Sequence, residues 1–456
     1  MFQLLSKLVK EDNFLSLSGN IIIAGFGFAG FALLARSLNP DDFAQWVLFI
    51  SGGSFVEMLR YGITNNGLVR FLSGTTDEHK EKLIGSNVLI SLLATLVIVI
   101  LLVVINLIFK SSIEKSSYAL FFNWYPLMAL INLPLNNAIV VQQAKMDFEK
   151  ILIIRAINSG FFFVFLLINF LVFELGIASI VVIFTGFNLM TTFICLLNSW
   201  DGFKLIRKSN RATVKTLLNF GKFSTFTLIG TNLLRNADIL IISISPFGST
   251  AVALFSIPLK LTELQQIPLR SFVATAFPKM SKASLEGKIN EVQSLFNVYS
   301  GALTYLFFFG SLVTFIFAKQ FIILVSGYQY LDFNTTNIDI VLIVRILSIY
   351  GLLLPIDRMT GIGLDSINRP NINAFKVLIM LITNIIGDFI AIYIFKSIEM
   401  VALSTLLFTT LGILIGSYFL NQNFKIIPKE IIKSTNNFYK SLLSKSFSFL
   451  QQIKKP

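Results

Sequence analysis

Charged side chains recur inside the apolar stretches of this 456-residue chain. In NLLRNADILIIS, residues 232–243, Arg235 and Asp238 are three residues apart and therefore share one face of a helix. A basic side chain at the centre of a bilayer costs about 2.5–3.5 kcal/mol, so it needs a polar partner, a water-filled cavity or an anionic ligand. Seven cations lie well inside such stretches: Arg60, Arg155, Arg235, Lys260, Arg270, Arg345 and Arg358.

Two kinds of chemistry explain these cations, and the sequence leaves both open. The first is structural ion pairing between residues one helical turn apart. Three acid and base pairs have this spacing: Glu57 with Arg60, Arg235 with Asp238, and Lys260 with Glu263. The second is binding of an anionic ligand, because bases outnumber acids in these stretches and arginine can hold two phosphate oxygens at once. Several cations, such as Arg155, Arg270 and Arg345, have no acid at this spacing.

Acids inside the apolar stretches are candidates for coupling transport to an ion gradient. Burial and a neighbouring cation act on the pKa of a carboxyl group in opposite senses, so an acid beside a cation can change its charge state during a transport cycle. Asp238 and Glu263 are the candidate coupling groups, with the coupling ion, a proton or sodium, left open. No cofactor is predicted. Four cations near stretch ends are expected to reach the lipid headgroups by snorkelling: Arg36, Arg70, Lys222 and Lys376.

Composition assigns the chain to the membrane. Of its residues 55% are hydrophobic and only 13% charged, with a mean hydropathy of +0.76, whereas soluble domains carry about 25% charged residues. Twelve apolar stretches are long enough to cross a bilayer as helices, which predicts an all-α polytopic protein. They cover residues 15–38, 43–71, 83–109, 117–142, 150–174, 177–198, 217–245, 249–277, 291–318, 337–362, 371–396 and 398–420.

The distribution of lysine and arginine predicts the orientation. Cytoplasmic loops are enriched in these residues, and an arrangement with both termini cytoplasmic leaves only Lys110, Lys115, Lys319 and Lys396 in outer loops. The formal net charge of +13 is spread over inner loops and a basic tail. Such charges face anionic lipids, so the predicted partners include membrane lipids and exclude nucleic acid.

Cysteine and histidine usage excludes several classes of enzyme. Cys195 is the only cysteine and His79 the only histidine. The chain therefore has no disulfide, no zinc site built from several histidines or cysteines, and no second histidine for such chemistry. The stretch GFGFAG, residues 25–30, matches a dinucleotide-binding pattern but lies inside the first apolar stretch, without the preceding strand that such a site requires.

A weak internal repeat predicts two lobes. An offset of 206 residues aligns five identical residues: Pro40 with Pro246, Leu48 with Leu254, Phe49 with Phe255, Glu57 with Glu263, and Phe71 with Phe277. Six helices separate the copies, so the halves would be parallel repeats about an axis along the membrane normal. We predict a six-helix lobe and connector over residues 1–216, a second six-helix lobe over 217–420 and a basic cytoplasmic tail over 421–456.

Several segments resemble bacterial polysaccharide flippases of the Wzx type. They are LARSLNPDDFAQWVLFIS, NFGKFSTFTLIGTNLLRNADILIIS, PFGSTAVALFSIPLKL, FVATAFPKMSK and GIGLDSINRPNINAF. The resemblance implies the multidrug/oligosaccharidyl-lipid/polysaccharide (MOP) exporter fold, a pair of six-helix bundles like that of MATE transporters. It implies an inner-membrane flippase that carries undecaprenyl-pyrophosphate-linked oligosaccharide for O-antigen, lipopolysaccharide or capsule biosynthesis, with a polysaccharide polymerase and chain-length proteins as candidate partners.

Two other functions stay open at this point. A membrane glycosyltransferase or polymerase also handles lipid-linked sugars, and Asp41 and Asp42 form an acidic pair in the first outer loop. The outer loops are short, however, and such enzymes usually need a large one to hold the acceptor. The second alternative is a cation-coupled drug exporter of the same superfamily, whose cleft would be lined by acids and apolar groups.

Overall fold

The computed structural model describes residues 12–62, 65–72, 76–331 and 338–453, and every regular element within them is a helix. Twelve long helices overlap the twelve predicted spans, so the predicted all-α architecture is confirmed, although the predicted span 43–71 divides into Pro40–Tyr61 and the short helix Asn65–Leu72. They are α1 Asp12–Ser37, α2 Pro40–Tyr61, α3 Asp77–Ile108, α4 Ala119–Ala144, α5 Phe148–Phe173, α6 Ile177–Leu197, α7 Arg211–Ser243, α8 Gly248–Leu285, α9 Ile289–Ile316, α10 Ile340–Ser366, α11 Pro370–Ile394 and α12 Glu399–Asn421.

Length and composition qualify eight of these helices as membrane spans among the described residues, namely α3 to α6 and α9 to α12. Shorter helical segments lie between the long ones: Asn65–Leu72, Lys110–Glu114, Phe203–Lys208 and Ala318–Ser326. The stretch GFGFAG lies inside α1, as the apolar stretch predicts. The protein is a multi-pass membrane protein.

Local sequence explains where the helices begin. Pro40 is the first residue of α2, where its missing N–H and fixed φ cost nothing. The Asn39 side chain accepts a hydrogen bond from the Asp42 backbone N–H at 2.9 Å. Asn210 caps α7 in the same way, accepting from the Thr213 N–H at 2.8 Å. Each cap satisfies a backbone donor that the first turn of a helix leaves unpaired.

The contacts divide the chain into two compact units. Unit 1 comprises Met1–Ala253 with Val325–Gly327, and unit 2 comprises Leu254–Leu324 with Tyr328–Pro456. The division falls inside α8. The preceding helix, α7, belongs to unit 1, where it packs against α2 and α3. The predicted lobe boundary at residue 216 is based on the internal sequence repeat and not on contacts. It stays a prediction.

The connector between α6 and α7 packs closely against the start of α3. Its segment Phe203–Lys208 forms a 3-10 helix, and a Cβ at Gly85 would overlap the Leu205 carbonyl oxygen. The Ser86 and Thr213 hydroxyls share a hydrogen bond at 2.5 Å. Lys208 pairs with Glu81. The sequence predicts only a polar loop here, because these contacts join residues that are far apart in the chain.

Asp201 is a buried acid within this connector. It is 2% exposed, its Oδ1 accepts from the Phe203 N–H at 3.1 Å, and its Oδ2 has no hydrogen-bond partner among the described residues. Burial raises the pKa of this carboxyl group above its ordinary value. The folded protein therefore holds a proton on Asp201 at pH values where the unfolded chain has released it.

We expect Asp201→Asn to stabilise the protein at pH 8 by about 1 kcal/mol, because an amide costs less to bury than a carboxylate. A raised pKa in the folded state means that stability falls as the pH rises from the ordinary value of about 3.9 through the raised value. The advantage of the amide should therefore shrink at pH 4. Thermal unfolding of both proteins in detergent at pH 4 and pH 8 measures this. A variant less stable than wild type at pH 8 contradicts the prediction.

The residues after α12 form a further helix, α13 Pro428–Ile453, where the sequence predicts only a basic tail. It crosses α9 at Gly301, where a Cβ would overlap the Thr435 hydroxyl and approach Ile431. The Tyr439 hydroxyl donates to the Ala302 carbonyl at 2.8 Å. Since Ile431 and Tyr439 are two turns apart on α13 but meet neighbouring residues of α9, the two helices cross.

Candidate functional site

A buried ion pair on α2 organises the polar interior of unit 1. Arg60 Nη1 donates to Glu57 Oε1 at 2.8 Å, and the Arg60 side chain is 0% exposed. One helical turn separates the two residues, so the pair was accessible to sequence reasoning. The ion-pair interpretation is confirmed for Arg60, whose described contacts are all to protein groups.

The Arg60 guanidinium also joins α2 to α3 and α4. Its Nε and Nη2 donate to the Thr95 hydroxyl at 3.1 and 2.9 Å. Nη2 donates to the Ala129 carbonyl at 2.6 Å and to the Tyr61 hydroxyl at 3.0 Å. A planar group with five donors can serve all these acceptors at once, whereas a lysine ammonium cannot. Arg60 thereby fixes the position of Glu57 relative to two neighbouring helices.

Glu57 receives two further hydrogen bonds from α4. The Tyr125 hydroxyl donates to Oε1 at 3.0 Å and Asn136 Nδ2 donates to Oε2 at 2.9 Å. Tyr125 reaches this position because position 53 is glycine, where a Cβ would lie 2.8 Å from the tyrosine ring. Sequence reasoning missed Tyr125 and Asn136, since neither carries a charge and both are distant from Glu57 in the chain.

A cavity of about 600 Å³ opens beside this network, between α2, α4 and α6. The Glu57 side chain is 26% exposed. Aromatic and amide side chains complete the lining, among them Phe49, Tyr125, Asn132, Asn136 and Phe184. Pockets of this size with mostly apolar walls and a few convergent polar groups are typical of ligand sites.

Unit 2 holds a second buried ion pair. Lys376 Nζ donates to Asp357 Oδ1 at 2.7 Å, to the Asp357 carbonyl at 2.9 Å and to the Thr360 hydroxyl at 3.1 Å. Its side chain is 3% exposed, so the prediction that Lys376 snorkels to the headgroups is wrong. Gly416 of α12 lies against this pair, where a Cβ would come within 2.6 Å of the Thr360 hydroxyl. A partner on a neighbouring helix satisfies the ammonium, which the sequence alone does not reveal.

The remaining predicted residues of unit 2 are dispersed. Lys260 pairs with Glu263 on α8 at 2.7 Å, with side chains 29% and 26% exposed, which confirms that pair. Arg345 is exposed near the start of α10, with its Cζ 5.6 Å from the centre of the Phe315 ring. Arg358 is exposed further along α10. The Arg270 side chain lies outside the described residues.

The predicted residues of unit 1 other than Arg60 also lie apart from the cavity lining. Arg155 is half-buried near the start of α5, and Asp238 is buried on α7. The Arg235 side chain lies outside the described residues, so its pairing with Asp238 stays a prediction. Neither unit gathers the predicted cations into one described cluster, and a role for them in anion binding also stays a prediction.

The acidic pair that motivates the glycosyltransferase alternative has structural partners. Asp42 accepts a hydrogen bond from Asn39 Nδ2 at 2.9 Å within the cap of α2. Asp41 Oδ1 accepts from the Ser249 hydroxyl at 2.5 Å, which links the start of α2 to the start of α8. Both acids therefore stabilise helix starts.

Comparison with known proteins identifies the family to which this chain belongs. A family model described as polysaccharide biosynthesis protein matches residues 9–284, which is more than half of the chain. The chain belongs to the polysaccharide biosynthesis protein family. The matched region contains the whole Glu57 and Arg60 network of this family member and its cavity. No curated protein sequence matches the chain.

Solved structures of low sequence identity share the fold of this polysaccharide biosynthesis protein. An inward-facing multidrug resistance MATE family transporter of the MOP superfamily has a TM-score of 0.69 and 16% identity, covering 87% of this chain and 94% of that one. Lipid II flippase MurJ, in an inward closed conformation, has a TM-score of 0.68 and 14% identity, covering 95% and 92%. A MOP superfamily transporter from Pyrococcus furiosus, described by the reverse polarity of its binding pocket, has a TM-score of 0.60 and 16% identity, covering 92% and 96%. The predicted MOP exporter fold is confirmed.

Proposed function

We propose that this protein is a flippase that carries an undecaprenyl-pyrophosphate-linked oligosaccharide from the cytoplasmic to the outer leaflet for polysaccharide biosynthesis. The observation that carries the proposal is the family match over residues 9–284. The fold shared with lipid II flippase MurJ supports it, since that protein is named for a lipid-linked cargo. A cavity with several polar side chains within a membrane-embedded unit supports it further, because a sugar headgroup must be shielded from hydrocarbon.

The proposed setting is the bacterial inner membrane with both termini cytoplasmic, as the lysine and arginine distribution predicts. The cargo is O-antigen or capsule repeat units in this proposal, and a polymerase and chain-length proteins act on it after transport. Asp238 and Glu263 are the proposed groups that couple transport to a proton or sodium gradient. No cofactor takes part.

Contact with the pyrophosphate is proposed for Arg235 and Arg358. Arg358 lies about 27 Å along a helix of about 40 Å, at 1.5 Å per residue, and its side chain is exposed. An exposed guanidinium about 12 Å from the nearer helix end needs a polar environment, and a pyrophosphate supplies acceptor oxygens that match its fork. Arg235 has a comparable position within α7. Arg60 is left out of this part of the proposal, because its described hydrogen bonds go to protein acceptors.

Deletion of the gene tests the proposed function. We expect complete lipid-linked repeat units to accumulate in the cytoplasmic leaflet, because a flippase acts after assembly and before polymerisation. Mass spectrometry of extracted lipids measures their structure, and the gene supplied in trans should restore polysaccharide export. Truncated sugars in the deletion strain would favour the transferase alternative. Unchanged lipid-linked sugars together with increased drug sensitivity would favour the drug exporter.

A further inference from the structure

We propose that the cavity between α2, α4 and α6 of unit 1 is a binding site for an uncharged, hydroxyl-rich sugar ring of the cargo. This inference rests on the proposed function and adds the part of the cargo that unit 1 recognises. It assigns to Glu57 and Asn132 the task of accepting hydrogen bonds from sugar hydroxyls.

Charge balance in the cavity selects an uncharged group. The Glu57 carboxylate is paired with the buried Arg60 at 2.8 Å. Because Arg60 already balances the carboxylate, the cavity needs no cationic guest, and an anionic guest would be repelled by the Glu57 side chain, which reaches the cavity while Arg60 does not. A hydroxyl group needs only an acceptor, and a hydrogen bond to an ionised acceptor is stronger than one between neutral groups.

Acceptor capacity remains in this cavity after all described contacts are counted. A carboxylate has about four acceptor positions, and three donors reach Glu57, from Arg60, Tyr125 and Asn136. Asn132 also lines the cavity, and its buried Oδ1 has no hydrogen-bond partner among the described residues. Buried acceptors in folded proteins are nearly always satisfied by protein, water or ligand. Asn132 is one helical turn from Asn136, which contacts Glu57, so the two acceptors lie near enough to receive hydroxyls of one sugar ring.

The aromatic walls suit the other surface of a sugar. Phe49 meets Tyr125 and Phe184 edge to face, with centroids 6.4 Å apart in both pairs. These contacts hold the three rings in fixed orientations around the polar groups. The C–H face of a pyranose ring is apolar, so it can pack against the half-buried Phe184 ring while its hydroxyls reach the acceptors.

Asn132→Leu tests the inference in the full-length protein in nanodiscs. The probes are undecaprenyl pyrophosphate and the same lipid bearing one N-acetylglucosamine. We expect the variant to bind the sugar-bearing lipid about tenfold more weakly, the effect of one lost hydrogen bond, and the bare lipid within twofold of wild type. Asn132→Ser keeps a hydroxyl acceptor, so its affinity for the sugar-bearing lipid should lie between those of wild type and Asn132→Leu. Asn106→Leu is the matched control, because Asn106 is a half-buried asparagine on α3 that does not line the cavity.

The outcomes separate the site from the proposed function. Wild-type protein that binds neither lipid overturns the proposed function, and the sugar site with it. Wild-type protein that binds both lipids, with Asn132→Leu reducing both affinities equally or neither, overturns the sugar site alone. Thermal unfolding of each variant identifies any loss of affinity that comes from misfolding. If Asn132→Leu is misfolded, the affinity of Asn132→Ser for the two lipids decides between these outcomes.

Discussion

Lys376→Met is expected to lower the free energy of unfolding by about 3–5 kcal/mol, the usual effect of removing one partner from a buried ion pair. The ammonium makes three hydrogen bonds, two of them to Asp357, within unit 2. Without it the Asp357 carboxylate, only 13% exposed, has lost its counter-ion. Unfolding of the purified protein in mixed micelles by titration with SDS measures the change.

The double variant Lys376→Met/Asp357→Leu should recover most of the lost stability, because replacing both charges by apolar groups leaves no buried charge unbalanced. Lys260→Met is the matched control. Lys260 and Glu263 form a pair of the same length but with more exposed side chains, and such pairs contribute about 0–1 kcal/mol. If Lys376→Met is tolerated as well as Lys260→Met, the buried pair does not stabilise unit 2.

Arg60→Met is expected to lower the free energy of unfolding by about 3–5 kcal/mol and to abolish export. Its guanidinium serves Glu57, Tyr61, Thr95 and the Ala129 carbonyl, so the change leaves several buried acceptors unsatisfied. Arg60→Lys should retain only part of the stability and export of wild type, because the three donors of a lysine ammonium cannot match the planar guanidinium group. SDS titration measures stability, and polysaccharide export in a complemented deletion strain measures function.

Arg60→Met combined with Glu57→Gln separates a structural role of Arg60 from contact with cargo. Removing the carboxylate charge should restore most of the stability, and the amide oxygen keeps one acceptor in the cavity, so we expect partial export. A stable double variant with no export would instead assign a direct role in transport to the charges of this pair. A double variant as unstable as Arg60→Met would contradict the ion-pair account of this site.

The sequence by itself determined the membrane class, the helices and the ion pairs within one helix. Length, composition and apolar runs specify the twelve spans because a bilayer demands helices of about 20 apolar residues. Glu57 with Arg60 and Lys260 with Glu263 were predictable because residues three apart on a helix are always neighbours. Segment patterns also indicated the family, which the family model over residues 9–284 confirms.

Only the tertiary structure decided which helices bring polar groups together. Lys376 meets Asp357 from another helix, Glu57 meets Tyr125 and Asn136, and α13 packs on α9 through Gly301. These contacts depend on helix rotation and on close approach at glycines, which local spacing does not specify. Periodicity says which side of a helix is polar, whereas packing decides what that side touches.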